Sequence, residues 1–251
     1  MSEVTAAALI IGNEILSGRT QDANLNYIAQ GLLAENILLR EARVIPDIEA
    51  EIIAQVRALS DRYDYVFTTG GIGPTHDDIT AESIAKAFGR RLLRDPRAVA
   101  LLARHYADPA LLTEARLRMA NIPEGAELIA NPVSAAPGFH LENVFVFAGV
   151  PAIARAMFDN VRPLLRGGGA LYSRTISAFV YESTIADDMR ALAERHASLD
   201  IGSYPYFRMG KWGTALVVRG TDRSLIDQVT DALGEVIRRH GVEPMEGEGA
   251  E

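Results

Sequence analysis

The densest chemistry in this chain lies in Thr69-Gly70-Gly71-Ile72-Gly73-Pro74-Thr75-His76-Asp77-Asp78-Ile79-Thr80. Gly70, Gly71 and Gly73 permit positive φ and let backbone N–H groups approach an anion, and a helix expected from Thr80 adds partial positive charge at its first turn. With Pro74 and Thr75 they form a cradle suited to a phosphate ester or diphosphate. It lacks the Gly-Lys-Ser/Thr ending of a Walker A loop and the third glycine of a Gly-x-Gly-x-x-Gly fingerprint. Asp77 and Asp78 would repel a polyanion in a low-dielectric cleft. A divalent cation removes that conflict, because Mg²⁺ or a similar hard ion held by one or two carboxylates can bridge to phosphate oxygens. Asp77, Asp78 and His76 are the candidate metal ligands, with K⁺ as a further candidate ion. Glu14 and Asp47 could complete the shell or act as base toward an attacking water. Asn24, Asn131 and Gly138 are candidate substrate contacts. Plainer readings stand beside these: a glycine-rich turn, helix N-terminal charges at Asp77-Asp78, a solvated His76, and turn-forming roles for Asn131 and Pro137-Gly138.

A parallel sheet would bring these residues together. The apolar run Ala6–Ile11 suits a strand buried on both faces. Leu25, Ile28, Ala29, Leu32 and Leu33 form an amphipathic helical stripe over about residues 22–34. A second strand is expected within residues 37–44, a helix carrying Ile52, Val56 and Leu59, and a third strand at 65–68. A helix with Thr80 as its N-cap follows, then a polar helical stretch over 95–120, a short strand near Leu128, a strand Val144–Phe147 and a helix through Met157 to Val161. Strands alternating with helices predict an α/β fold of three layers, α/β/α, around a mostly parallel sheet. In such sheets the ligand crevice lies beyond the carboxyl ends of the strands. Residues 12–14, 46–47 and 70–80 all leave such ends.

Gly167-Gly168-Gly169 marks the expected domain boundary, placing the larger domain in 1–166. Residues 170–242 read as strand, helix, strand, strand, helix, a small α+β domain, and 243–251 as an acidic disordered tail. The chain has 251 residues, no cysteine, 25 Lys+Arg against 33 Asp+Glu and a net charge of -8. Disulfides, thiolate metal sites and thiol nucleophiles are excluded, and nucleic acid is not an expected partner. No segment has the pattern of a signal peptide or a membrane span, so a cytoplasmic protein is expected.

The strings Ile11-Gly12-Asn13-Glu14-Ile15-Leu16-Ser17-Gly18, Asp22-Ala23-Asn24, Pro46-Asp47, the Thr69–Thr80 loop, Asn131-Pro132-Val133, Ala136-Pro137-Gly138-Phe139 and Gly149-Val150-Pro151 together resemble the MoaB/Mog molybdopterin-binding superfamily. Within it the chain is most similar to the amino-terminal part of CinA, the competence/damage-inducible protein, and to the molybdopterin-binding-like domain of FAD synthase. The loop wording is nearer the latter, since CinA proteins usually have proline where His76 stands. The resemblance implies a nucleotide or pterin pocket at the sheet edge. It also implies divalent-metal-dependent hydrolysis of FAD or ADP-ribose-type diphosphates to AMP and a second phosphate ester. Asp47 and Asp78 match the aspartate pair thought catalytic in the molybdopterin adenylyltransferase branch. Asn13 stands where the family commonly has aspartate, leaving more to Glu14, and Ala148 replaces the first proline of Pro-Gly-Val-Pro. The alternatives are a non-catalytic molybdopterin or nucleotide-binding module and a molybdopterin adenylyltransferase. Nicotinamide mononucleotide deamidation and FAD synthesis are not expected from this chain alone. The expected assembly is a homo-oligomer, a dimer first and a trimer second.

Overall fold

The computed structural model describes residues 3–247. In it the run Ala6–Ile11 is wholly buried within β1 (Val4–Ile11). The chain then forms a single-turn α1 (Asn13–Leu16), α2 (Asn24–Ala34), β2 (Ile37–Ile45), α3 (Glu49–Ser60), β3 (Tyr65–Thr69) and α4 (Thr80–Ala87). Next come β4 (Leu92–Arg94), α5 (Pro96–Tyr106), α6 (Glu114–Leu117), β5 (Asn121–Pro123), β6 (Glu127–Ile129), β7 (Gly138–Leu141), β8 (Val144–Phe147) and α7 (Pro151–Val161). The sheet order is β2-β1-β3-β8-β7-β6. β1, β2, β3 and β8 pair in parallel, whereas β7 and β6 continue antiparallel.

Side chains alternate across this sheet with period two, so each face receives its own helices. Leu9, Ile11, Val66 and Val146 pack with Ile52 and Val56 of α3, Ile84 of α4 and Leu102 of α5. On the opposite face Ala6, Phe67, Phe145 and Phe147 pack with Ile28 and Leu32 of α2 and Met157 and Phe158 of α7. The result is a three-layer α/β/α fold with a mostly parallel sheet.

Three local differences from the sequence expectation have physical causes. The helical stretch expected over 95–120 is interrupted: α5 ends at Tyr106, Ala107 takes φ 52, and the Asp108 side chain accepts from the Ala110 amide beside Pro109, which has no N–H to continue the helix. Just outside that stretch, Leu92–Arg94 and Asn121–Pro123 form β4 and β5, a separate antiparallel pair that the sequence expectation did not include. Thr80 is the first helical residue of α4 and not its cap; Ile79 takes that position, and the Thr80 hydroxyl donates to the Gly70 carbonyl at 3.0 Å.

The chain divides between Gly168 and Gly169 into two compact units. The second contains β9 (Tyr172–Ala178), α8 (Glu182–Arg195), β10 (Asp200–Arg208), β11 (Lys211–Gly220), α9 (Arg223–Arg239) and β12 (Met245–Glu246). Its antiparallel sheet, ordered β10-β11-β9-β12, packs Ile176, Leu216 and Val218 against Ile185 of α8 and Ile226, Val229 and Leu233 of α9. The tail expected to be disordered from 243 onward is ordered at Met245 and Glu246. These residues pair with Ser177 and Ile176 of β9, and Glu246 lies 2.6 Å from the Arg174 guanidinium. Residues 248–251 fall outside the described residues. Among the described residues no helix is long and apolar enough to cross a membrane.

Candidate functional site

Parallel pairing sends the carboxyl ends of β1, β2 and β3 to one edge of the sheet, and the three segments that follow are tied together there. The Gly12 amide donates to the Ile45 carbonyl at 3.1 Å, and the Asn13 amide to Asp47 Oδ2 at 2.9 Å. The residues after β1 and β2 therefore hold each other, and α1 begins directly at that contact, carrying Glu14 in its first turn.

The loop after β3 is closed at its base. The Gly70 amide donates to the Phe147 carbonyl at 3.1 Å, extending the β3–β8 ladder by one bond, and the Thr80 amide donates to the Gly71 carbonyl at 3.0 Å. Gly70 and Gly71 then take φ of 103 and 68, where a side chain would be strained. A Cβ at Gly70 would stand 2.1 Å from the Ile11 carbonyl oxygen, and one at Gly71 would stand 2.1 Å from Thr80 Oγ1. Both glycines are needed for close approach as well as for backbone angle. Farther along, the Asp78 carboxylate accepts from the Thr75 amide at 2.8 Å and from the Thr75 hydroxyl, bracing the tip of the loop.

These segments enclose a cleft of about 440 Å³. Glu14, Asp47, Gly70, Gly71, Gly73, Pro74, Thr75, Asp77, Asp78 and Asn131 all line it, although the first and last lie more than a hundred positions apart in sequence. Four of these are carboxylates, and among the described residues no lysine or arginine shares the lining. The Thr75 hydroxyl, Asp77's own amide and the nearby His76 ring hold the Asp77 carboxyl below the usual aspartate value.

Three predicted residues lie elsewhere. His76 is outside the lining, with its side chain 95% exposed and its ring 4.0 Å from Asp77. Asn24 is buried beneath the rim: its amide donates to the Gly149 carbonyl at 2.8 Å, so it can support Gly149 from behind. Gly138 is buried in β7, where a Cβ would stand 2.3 Å from the Val146 carbonyl oxygen, and its absent side chain serves strand packing. Asn131 does reach the cleft, but its side chain organises the next loop. Its Oδ1 accepts from the amides of Val133 and Ser134 at 3.0 and 3.1 Å, and its Nδ2 donates to the Ala136 carbonyl at 2.8 Å.

The apolar side of the cleft, with Tyr106, Met119 and Ile153, was not visible in the sequence. Tyr106 is the last residue of α5, and Arg116 stacks its guanidinium 4.2 Å from the ring centroid. No local spacing signals this wall, because its parts come from separate turns.

Among the described residues no three of Asp, Glu and His gather closely enough to form a metal cage. The donors that do line the cleft are carboxylate oxygens, which suit a hard cation that retains waters and takes further ligands from a bound phosphate.

Comparison with known proteins gives a consistent assignment for both units. Residues 7–167 match the probable molybdopterin binding domain, and residues 170–246 match the middle domain of FAD synthase. A protein of Archaeoglobus fulgidus is 35% identical over 195 residues, covering 78% of this chain and 83% of its own length. A CinA-like protein of Desulfosudis oleivorans is 37% identical over 196 residues, covering 73% of this chain and 48% of that protein. Among solved structures, a CinA protein of unknown function from Thermoplasma acidophilum aligns with a TM-score of 0.61 and 35% identity, covering 64% of this chain and 98% of that one.

Proposed function

Because the chain belongs to the molybdopterin-binding family of MoaB/Mog proteins, within its CinA-like subgroup, we propose that it hydrolyses the diphosphate linkage of an FAD- or ADP-ribose-type nucleotide. The observation that carries this reading is a glycine-walled cleft whose backbone can approach a phosphate and whose lining presents Glu14, Asp47, Asp77 and Asp78 to it. The match of the second unit to the FAD synthase middle domain supports a flavin or adenine nucleotide as ligand.

In this scheme Gly70, Gly71, Gly73, Pro74 and Thr75 hold the diphosphate. Asp77 and Asp78 would hold a divalent ion jointly with phosphate oxygens. Such an ion supplies charge neutralisation and an acidified water. Asp47 or Glu14 accepts the proton of the attacking water. Water oxygen bonds to one phosphorus, the bridging P–O bond breaks, and AMP and a second phosphate ester leave. The test is AMP release from FAD or ADP-ribose with Mg²⁺, Mn²⁺ or Co²⁺, with and without K⁺. Activity is expected with metal and lost with EDTA; no AMP from any tested diphosphate overturns the proposal.

One observation favours a second reading, a module that binds a nucleotide or pterin without turnover. Asp47 and Asp78 already accept hydrogen bonds from Asn13 and Thr75, which competes with their use as base or metal ligand. Tight binding in calorimetry, with ligand recovered intact after prolonged incubation with metal, would select it.

A further inference from the structure

A second cavity, of about 60 Å³, borders the cleft. Both are lined by Gly71, Ile72, Gly73, Asp78 and Met119, so the two adjoin along the glycine strap. The smaller cavity has a different chemistry. It adds Arg118, Asn121 and the first-turn residues Ala81 and Glu82 of α4.

Its charged groups differ in how far they are already engaged. Asp78 takes two hydrogen bonds from Thr75, and Glu82 lies 2.7 Å from the ammonium of Lys86. By contrast, among the described residues neither the Arg118 guanidinium nor the Asn121 side-chain amide has a protein partner. The neighbouring Arg116 is stacked on Tyr106 and bonded to the Leu111 carbonyl, so it does not compete for the same role. Arg118 is thus the one lysine or arginine among the described residues that line either cavity, and it is uncommitted. A guanidinium presents five donors in a fork that matches phosphate oxygens, and the start of α4 adds favourable potential for an anion. The cavity is much smaller than the cleft and admits a phosphoryl-sized group.

We propose that this cavity is a phosphate subsite in which Arg118 and Asn121 hold one phosphoryl group of the substrate while the glycine strap it shares with the cleft holds the adjacent one. The subsite presupposes a diphosphate substrate, as proposed above, and it adds a selectivity: compounds with two adjacent phosphates bind in preference to mononucleotides. It also bears on the electrostatic problem of the cleft, where four carboxylates face the substrate and no lysine or arginine is among the described lining residues.

Calorimetric titration of the full chain with inorganic pyrophosphate and with AMP, in the presence of Mg²⁺, tests this. Wild-type protein is expected to bind pyrophosphate more tightly than AMP. Arg118→Ala should weaken pyrophosphate binding by about tenfold or more and erase the preference, Asn121→Ala should weaken it less, and Arg118→Lys should restore part of it. Arg118 is exposed, so the variants should keep the wild-type circular dichroism spectrum and melting temperature. Equal pyrophosphate affinity in wild type and Arg118→Ala, or no binding by wild type, overturns the subsite. Arg118-dependent pyrophosphate binding without AMP release from any diphosphate leaves the subsite standing and removes the hydrolytic reading. Hydrolysis of FAD or ADP-ribose with unchanged KM in Arg118→Ala does the reverse.

Discussion

Gly70 and Gly18 share a left-handed backbone, with φ of 103 and 72, yet their surroundings differ. A Cβ at Gly18 meets nothing within 4 Å, whereas one at Gly70 meets the Ile11 carbonyl at 2.1 Å. Gly18→Ala should therefore cost only the backbone strain, about 1 kcal/mol, while Gly70→Ala should cost about 3 kcal/mol or more because β1 backbone must move. Urea denaturation of the two variants checks this, and equal losses would show that the cleft loop yields freely. Asp47 and Asp78 carry the chemical prediction. Asparagine at either position keeps an oxygen to accept from Asn13 or Thr75 but loses the negative charge. Asp47→Asn and Asp78→Asn should each lower kcat for FAD or ADP-ribose about a hundredfold or more with little change in melting temperature. Ten of the predicted site residues reach the cleft because they sit at strand ends, a position that alternating elements reveal in sequence. His76, Asn24 and Gly138 do not, since which way a loop side chain points, or whether a strand glycine faces a ligand or a neighbouring strand, depends on contacts absent from local spacing.

Elements are held in place partly by polar clusters that hydrophobic periodicity does not show. Glu41 of β2 accepts from Arg43 Nε at 2.6 Å and from the Tyr63 hydroxyl at 2.7 Å, and Arg62 lies 3.3 Å away, so this cluster joins β2 to the turn before β3. The Arg43 and Tyr63 hydrogen bonds hold the Glu41 carboxyl below its ordinary value. A carboxyl with a depressed folded-state pKa stabilises the fold above its unfolded-state value, and loses that contribution as pH falls through the folded one. Glu41→Gln should therefore melt earlier than wild type at pH 7, with the difference shrinking below about pH 4. A gap in melting temperature that stayed constant with pH would assign the effect to packing. The main strands and helices were legible because their apolar residues recur with the right period, as in Ala6–Ile11 and Leu25–Leu33. The short strands near Leu128 and at Val144–Phe147 were legible too, but other short pieces were not. β4, β5 and β7 span only three or four residues, and β12 only two, so pairing partners decide them. Ending the chain at Glu243 would remove both β12 and the Glu246 partner of Arg174, and should destabilise the second unit by about 1 kcal/mol, read from its own unfolding transition.

For the molecule as a whole, core and cleft divide at the same place as the family matches. Every residue lining the 440 Å³ cleft falls between Ile11 and Ile153, and both hydrophobic clusters that flank the large sheet end by Leu165. The glycine run is not simply slack. A Cβ at Gly167 would stand 1.8 Å from the Glu35 carbonyl oxygen, and the Gly168 amide donates to the Asn36 carbonyl at 3.0 Å, so these two glycines finish the first unit. A fragment that stops before them loses that attachment to the end of α2, whereas one ending after Gly169 keeps it. A chain of that length buries enough surface to fold alone, since domains of about 150 residues bury roughly 70% of their unfolded surface. The fragment 1–169 should accordingly unfold in a single cooperative transition and release AMP from the same diphosphate as the full chain, with kcat changed by no more than a few fold. Fragment 1–165 should melt several degrees lower. If 1–169 folds but neither binds pyrophosphate nor hydrolyses a diphosphate that the full chain accepts, the cleft is not the complete site, and a role in the chemistry must be sought in residues 170–246.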